Sequence, residues 1–488
     1  MIKKIPLAMA GVSLAAIAVA AQPNIVLCFV DDLGWSDVGY NGNTYHLTPR
    51  IDSLAKQSMV FNDAYAYPTC SPSRACLITG QNTPRHGIYR VDAYKPTPES
   101  FKKIKDAATG HFYEGSDLTL GDVMKKAGYV CGYIGKWHLG DRPETLPTGR
   151  GFDVNVAGCG LGRPPSYFSP YENPYLSDGP DGEYLPERLA CEAAGFIREN
   201  KDRPFFMVFA PHLVHRPVQA KPEYVQLFSD RTPMQGHWDS EYAAMVYALD
   251  VAVGELTDAL KSAGVLDNTL IVFMSDNGPN PVCADATPLR GHKASVYEGG
   301  IRVPMFACWP GVIAPGTSDV PVTVMDLLPT FMDAASFEMD GLTLDGETLM
   351  PLLTRSGSLK RDALYWHHPC YTIPVVFSKE ARNDPVYWKP GELFLPEEKD
   401  RGDWVRPCSV IRSGDYKLIY EYETGTVELY NLKEDLGETN NLAIAQPELA
   451  GQLTKKLKVW LQEMNAEIPS EPNPDYDPAF KQIPDGKE

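Results

Sequence analysis

Beyond its first twenty residues, the 488-residue chain has no apolar run long enough to cross a bilayer. No membrane-spanning helix is therefore expected after the leader, since such a helix needs about 20 apolar residues. Positive charge is in deficit: 45 Lys and Arg stand against 63 Asp and Glu, a formal net charge of −18. Such a surface repels nucleic acid and anionic membranes, so neither is expected as a partner. An anionic substrate would also be repelled, unless a metal and a few basic side chains attract it locally. No internal repeats are evident. The ten cysteines show no framework spacing, and a chain this long needs no disulfide staples. Cys28 in IVLCFV and Cys308 in MFACWP read as small buried hydrophobes.

What is present begins with a leader. Lys3 and Lys4 precede the apolar run Leu7 to Ala18, and Ala18-Val19-Ala20 is a small-x-small cleavage site. Residues 1–20 read as a secretory signal peptide, which makes the protein exported, periplasmic or secreted. No cysteine sits at the cleavage point, so no lipid anchor is expected there.

Short apolar runs then alternate with helical patterns. Asn24 to Val30, Tyr129 to Ile134, Arg203 to Ala210, Thr269 to Ser275 and Val303 to Trp309 read as strands. Leu47 to Gln57 (Thr48 as N-cap, Pro49 at N1), Leu118 to Gly128 and Ser240 to Ala263 read as helices. This alternation predicts an α/β fold, a large, mostly parallel sheet sandwiched by helices. From about Arg361 the pattern changes: Cys408 to Leu432 has short strands joined by Gly-containing turns, and Pro447 to Met464 is an amphipathic helix. The expected organisation is a catalytic α/β domain over 21–360, then a smaller C-terminal α+β domain over 361–488 with an antiparallel sheet and a final helix.

In such sheets chemistry lies beyond the carboxyl ends of the strands. Asp31-Asp32 and Asp276-Asn277 each directly follow an apolar strand. A lone acidic pair usually caps a loop, but two pairs at two strand ends form a hard oxygen set suited to Ca²⁺ or Mg²⁺. His212 and His215 form H-x-x-H, a zinc pattern without an evident third soft ligand. Cys70 precedes Ser71, a natural N-cap, and Pro72, which fits N1. A cysteine there would sit at a helix N-terminus, where N–H groups favour negative charge, with Arg74 a turn away.

The run Cys70-Ser71-Pro72-Ser73-Arg74-Ala75-Cys76-Leu77-Ile78-Thr79-Gly80 resembles, without a gap, the C-x-P-S-R-x-x-L-x-x-G motif of type I sulfatases. Further elements follow the family's order: NIVLCFVDDLGWSDVGYNG, GYIGKWHLG, SDNG and LRGHKASVYEGGIRVP. The resemblance runs from Asn24 to about Leu442. It implies a sulfuric ester hydrolase of the alkaline phosphatase superfamily, with Cys70 oxidised to Cα-formylglycine (3-oxoalanine) by a formylglycine-generating maturation enzyme. It implies one Ca²⁺, Mg²⁺ being the lesser fit, on Asp31, Asp32, Asp276, Asn277 and residue 70. Arg74 would hold the aldehyde hydrate, and Lys136 and Lys293 would neutralise the sulfate. His215, followed by x-Pro as in the family, would protonate the leaving oxygen, with His212 as the alternative. His138 would release sulfate from a covalent sulfo-enzyme.

The substrate implied is a sulfated small molecule or glycan: a glycosaminoglycan, mucin-type glycan or algal polysaccharide fragment, attacked from its end. His212, His111, Arg163 and His367 are candidate substrate contacts, with Tyr89-Arg90 and Trp366-His368 nearby in kind. One rival is a phosphomonoester or phosphonate hydrolase of the same superfamily. Phosphatases of this type carry Ser or Thr and two metals, whereas carboxylates for one metal are evident here. Another is a catalytically silent glycan-binding protein, which the intact set of polar residues argues against.

Overall fold

The computed structural model describes residues 22–91, 99–110, 112–115, 117–281, 284–372 and 406–478. The leader at 1–20 and His111 lie outside them. In chain order the first ten strands are β1 (Asn24–Val30), β2 (Met59–Phe61), β3 (Ala64–Tyr65), β4 (Val130–Gly135), β5 (Val154–Val156), β6 (Phe205–Ala210), β7 (Thr269–Ser275), β8 (Met305–Cys308), β9 (Gly316–Ser318) and β10 (Val322–Thr323).

Eight of these form one sheet in the order β5-β4-β6-β1-β7-β8-β2-β9. Strands β4, β5, β6, β1 and β7 run parallel to one another. Every residue of β1, β6 and β7 is buried, as a sheet covered on both faces requires. Alternate residues of β1 enter opposite cores. Ile25, Leu27 and Phe29 pack with Ala75 and Leu77 of helix Cys70–Thr79, Val123 of helix Leu120–Lys126 and Phe331 of helix Leu327–Ala334. Val26, Cys28 and Val30 pack with Leu189 and Ala193 of helix Leu185–Asn200 and Met245 and Leu249 of helix Ser240–Ser262.

Strand β8 departs from the parallel set: it runs antiparallel to both β7 and β2. The segment between β7 and β8 carries Asp276, Asn277 and Lys293 and, among the described residues, one short helix, Glu298–Ile301.

The later part forms a four-stranded antiparallel sheet, β11 (Leu364–His368), β12 (Cys408–Ser413), β13 (Tyr416–Glu421) and β14 (Val427–Asn431), in sequential order. Helix Pro447–Glu463 lays Leu453, Leu457 and Leu461 on Ile411, Leu418 and Leu429. A buried ion cluster docks this sheet on the segment between β7 and β8. Lys417 Nζ contacts Glu298 Oε1 at 3.0 Å and Glu438 Oε1 at 2.9 Å, and Glu298 Oε2 accepts from Arg302 Nε at 2.7 Å. No helix among the described residues is long and apolar enough to cross a membrane.

Candidate active site

Four neighbouring strands deliver polar residues from their carboxyl ends to one place. Strand β4 is followed by Lys136 and His138, β6 by His212 and His215, β1 by Asp31 and Asp32, and β7 by Asp276 and Asn277. The pairing of Val30 with Ser275 sets the two acidic dipeptides side by side, and Asp276 N donates to Val30 O at 3.0 Å. Asp32 adopts a left-handed φ of 58°, which a short polar side chain tolerates. Gly135, at φ 112°, lets β4 meet β6 closely: a Cβ there would lie 1.9 Å from Ala210 O. Lys136 N then donates to that same carbonyl at 2.7 Å.

Cys70 opens helix Cys70–Thr79, with Thr69 as N-cap. The helix thus starts two residues earlier than Ser71 and Pro72 predict, and Pro72 still falls in the first turn, where its missing N–H costs nothing. Cys70 Sγ lies 3.5 Å from Asp31 Oδ1, 3.8 Å from Asp32 Oδ1 and 3.1 Å from Lys293 Nζ. Burial pushes the Cys70 thiol up, and the pull of Lys136 and Lys293 does not offset it, so the thiol stays protonated near neutrality.

The carboxylates are tied together. Lys136 Nζ donates to Asp31 Oδ2 at 2.7 Å, and Lys293 Nζ to Asp32 Oδ1 at 2.5 Å. Asn277 Nδ2 donates to Asp32 Oδ1 at 2.7 Å. Burial works to raise the Asp32 carboxyl, but Lys293 and Lys136 outweigh it and hold it below the usual range. Arg74 spends Nε and Nη2 on Asp276 Oδ2, at 3.0 and 2.8 Å, and Nη1 on Lys136 O at 2.7 Å. It therefore orients Asp276 and the β4 exit, a role the motif alone does not reveal.

Two buried oxygens, Asp32 Oδ2 and Asn277 Oδ1, have no hydrogen-bond donor among the described residues. A buried acceptor left unpaired is destabilising, and a hard cation satisfies such oxygens. Asp31, Asp32, Asp276 and Asn277 therefore fit a Ca²⁺-type ion. A compatible donor group is Asp31, Asp32, Cys70 and His215.

The histidines flank this centre. His215 Nε2 is 3.6 Å from Asp32 Oδ2, and its Nδ1 lies 2.8 Å from Arg216 O. His212 and His138 are buried, each with an Nδ1 lacking a hydrogen-bond partner among the described residues. Burial first, then the nearby Lys136, holds His138 and His212 well below the ordinary imidazole range. Burial, Lys293 and Lys136 do the same for His215, so all three are neutral. Gly162 sits against His138, where a Cβ would meet ring atoms Cε1 and Nε2 at 2.7 Å. The half-buried Arg163 is its chain neighbour.

His367 is a different case. Its Nδ1 pairs with Ser409 Oγ at 2.7 Å and its Nε2 with Glu467 O at 3.0 Å, inside the C-terminal sheet. Both ring nitrogens are spent within the protein, which removes His367 as a substrate contact. Nearby, His368 pairs with Thr372, Trp366 is buried, and Arg90 is held by Asp106. The nine described cysteines are unpaired, eight of them buried and Cys191 exposed.

Comparison with known proteins agrees with this geometry. The family model described as Sulfatase matches residues 23–337. Human arylsulfatase A is 31% identical, covering 96% of this chain and 94% of its own length. Mouse N-acetylgalactosamine-6-sulfatase is 30% identical, covering 96% and 91%. The solved structure of Ps i-CgsB in complex with k-i-k-neocarrahexaose superposes with a TM-score of 0.71 at 27% identity, covering 95% of each chain. Agrobacterium radiobacter phosphonate monoester hydrolase shares the fold at a TM-score of 0.61 and 19% identity, covering 91% of this chain and 96% of its own. With the matched region spanning β1 to helix Leu327–Ala334 and all four polar strand ends, the chain belongs to the sulfatase family of sulfuric ester hydrolases.

Proposed function

We propose that this sulfatase hydrolyses sulfate esters of carbohydrates, acting from the chain end, with residue 70 as nucleophile after its oxidation to formylglycine by a separate maturation enzyme. The observation that carries this is Cys70 itself, within C-S-P-S-R, at a helix N-terminus and 3.1 Å from Lys293 Nζ. A buried, protonated thiol is a weak nucleophile, whereas an aldehyde hydrate offers two hydroxyls. Relatives named for an amino-sugar sulfate and a structure holding a carrahexaose support a sulfated sugar as substrate. We take 21–360 as the catalytic domain and 361–488 as the smaller one, and the leader at 1–20 as directing export to the periplasm or beyond.

A calcium ion on Asp31, Asp32, Asp276 and Asn277 would supply positive charge beside residue 70 and a sulfate oxygen. Lys136 and Lys293 neutralise the other sulfate oxygens, and Arg74 fixes Asp276. One hydroxyl of residue 70 passes its proton to Asp31, whose Oδ1 lies 3.5 Å from Cys70 Sγ, and its oxygen attacks sulfur; the bond from sulfur to the sugar oxygen breaks, and His215 gives that oxygen its proton. His138 then takes the proton of the second hydroxyl. The aldehyde C=O re-forms, the bond between residue 70 and sulfate breaks, and water restores the hydrate. A serine or thiol has no second hydroxyl and could not release sulfate this way.

Mass spectrometry of the peptide containing residue 70, from a host with the maturase, is expected to show a species about 18 Da lighter than the thiol. Full activity with Cys70 wholly unmodified would sink the mechanism. A phosphatase reading is weaker, because the likeness to the phosphonate hydrolase is one of fold alone. Relative rates on nitrophenyl sulfate and nitrophenyl phosphate separate the two.

The neutral state of His215 carries a further expectation. An acid must hold a proton in the complex, so the sulfate's negative charge has to raise its pKa. Binding then takes up a proton: it strengthens as pH falls below the bound-state pKa and levels off at the depressed free-enzyme value. The inhibition constant of inorganic sulfate should fall by up to about tenfold per pH unit within that window. His215→Ala should flatten the slope, and an unchanged slope would show that another group takes the proton.

A further inference from the structure

Behind the loop that carries Asp31 and Asp32 lies a second set of metal-type donors that sulfate hydrolysis does not use. Asp37, His46 and His237 are buried, at 0%, 4% and 1% exposure. They come from three separate segments: the turn Trp35–Asp37, the chain before helix Pro49–Ala55, and the chain before helix Ser240–Ser262. Asp37 Oδ1 stands 3.3 Å from His237 Nδ1 and 3.6 Å from His46 Nδ1. One donor atom from each residue lies within 4.8 Å of the other two. Two ligands of a tetrahedral Zn²⁺, each at about 2.0–2.1 Å, stand about 3.3 Å apart, so these separations are those of atoms sharing one ion.

A closed hydrogen-bond network would explain the same residues less well. Asp37 Oδ2 is satisfied, accepting from Gly34 N and from Tyr242 Oη, both at 2.7 Å. Asp37 Oδ1 and both ring nitrogens of His237 are buried without a hydrogen-bond partner among the described residues. The 3.3 Å contact between Oδ1 and Nδ1 is close but not aligned as a hydrogen bond. Proteins leave few such atoms unpaired, and Asp37 Oδ1 and His237 Nδ1, side by side at 3.3 Å with neither satisfied, call for a further atom between them. His46 Nδ1 lies 2.9 Å from the Asp37 carbonyl oxygen and 3.4 Å from Asn43 Nδ2; with its proton on Nε2, Nδ1 is a ligand and the carbonyl offers a fourth donor.

We propose that Asp37, His46 and His237 form a structural site for a zinc-class divalent cation, separate from the all-oxygen centre at Asp31. Two imidazoles and one carboxylate suit Zn²⁺ over Ca²⁺, which takes oxygen ligands. The ion ties the turn Trp35–Asp37 and the chain before helix Pro49–Ala55 to the start of helix Ser240–Ser262. Tyr242 Oη, bonded to Asp37, is 3.5 Å from Asp32 O, so the staple also braces the loop that carries Asp32.

The test uses the full chain, stripped with chelator and kept in excess Ca²⁺. Titration with Zn²⁺, and with Co²⁺ as a spectroscopic stand-in, should give one retained ion per chain and the visible bands of four-coordinate Co²⁺. His237→Gln and His46→Gln should each weaken that binding at least tenfold, while Asp276→Asn should keep it. X-ray absorption of the wild-type Zn²⁺ protein should count two imidazoles, a readout that holds even if a histidine variant fails to fold. No ion retained, an ion that both histidine variants keep, an ion displaced by Ca²⁺, or a single imidazole would each overturn the site.

Discussion

Asp276→Ala is expected to lose the calcium proposed for this centre and to cut turnover by ~10³-fold or more, the scale of losing a charge stabiliser in a buried site. The side chain serves two masters. Its Oδ1 accepts from Asp32 N at 3.2 Å, and its Oδ2 takes both Arg74 contacts. Arg74 is 1% exposed, so truncation leaves a buried guanidinium without its counter-charge, which costs about 3–5 kcal/mol. A fall in melting temperature therefore accompanies the loss of metal, and activity alone cannot separate the two. Asp276→Asn separates them: it keeps the shape and an oxygen acceptor but removes one of three carboxylates. It should fold, bind calcium at least about tenfold more weakly, and stay slow even with calcium in excess. Wild-type metal content and a near-normal rate in Asp276→Asn would take this carboxylate out of the centre.

Much of this site is legible in the residues, for a definite reason. Strands β1 and β7 are apolar at nearly every position, and only a strand buried on both faces needs that. Both must then lie at the sheet centre, where Asp31-Asp32 and Asp276-Asn277 leave from the same edge. The order of the other strands depends on contacts between segments far apart in the chain. Local pattern gives no sign that β8 runs antiparallel to β7, nor that LYWHH forms β11. The charges that matter most structurally are equally hidden. Lys417 and Glu438 look like surface residues in a meander until the fold buries them against Glu298. His367 errs the other way: a histidine beside Trp366 resembles a sugar contact, yet β11 turns it inward onto Ser409 and Glu467. Asp37, His46 and His237 escape a reading of spacing altogether, since His237 meets the others only through tertiary packing.

The two histidines proposed as acid and base should be separable by the leaving group. A general acid matters in proportion to how badly the departing oxygen needs a proton. A sugar alkoxide is a very poor leaving group, whereas a nitrophenolate, with a pKa of about 7, departs almost unaided. His215→Ala should therefore slow a sugar sulfate by about 10²-fold or more and nitrophenyl sulfate far less, as long as release from residue 70 does not limit the second substrate. His138 acts after the alcohol has left, on a step common to both substrates. His138→Ala should slow both equally, and sulfated enzyme should accumulate to a level that mass spectrometry can count. The geometry favours this division: His215 Nε2 reaches to 3.6 Å from Asp32 Oδ2 and keeps some exposure toward an incoming alcohol, while His138 is buried beneath Gly162. Its neighbour His212, 2% exposed, is the competing acid. If His212→Ala alone shows the leaving-group dependence, or His215→Ala slows both substrates alike, the acid has been assigned to the wrong member of the pair.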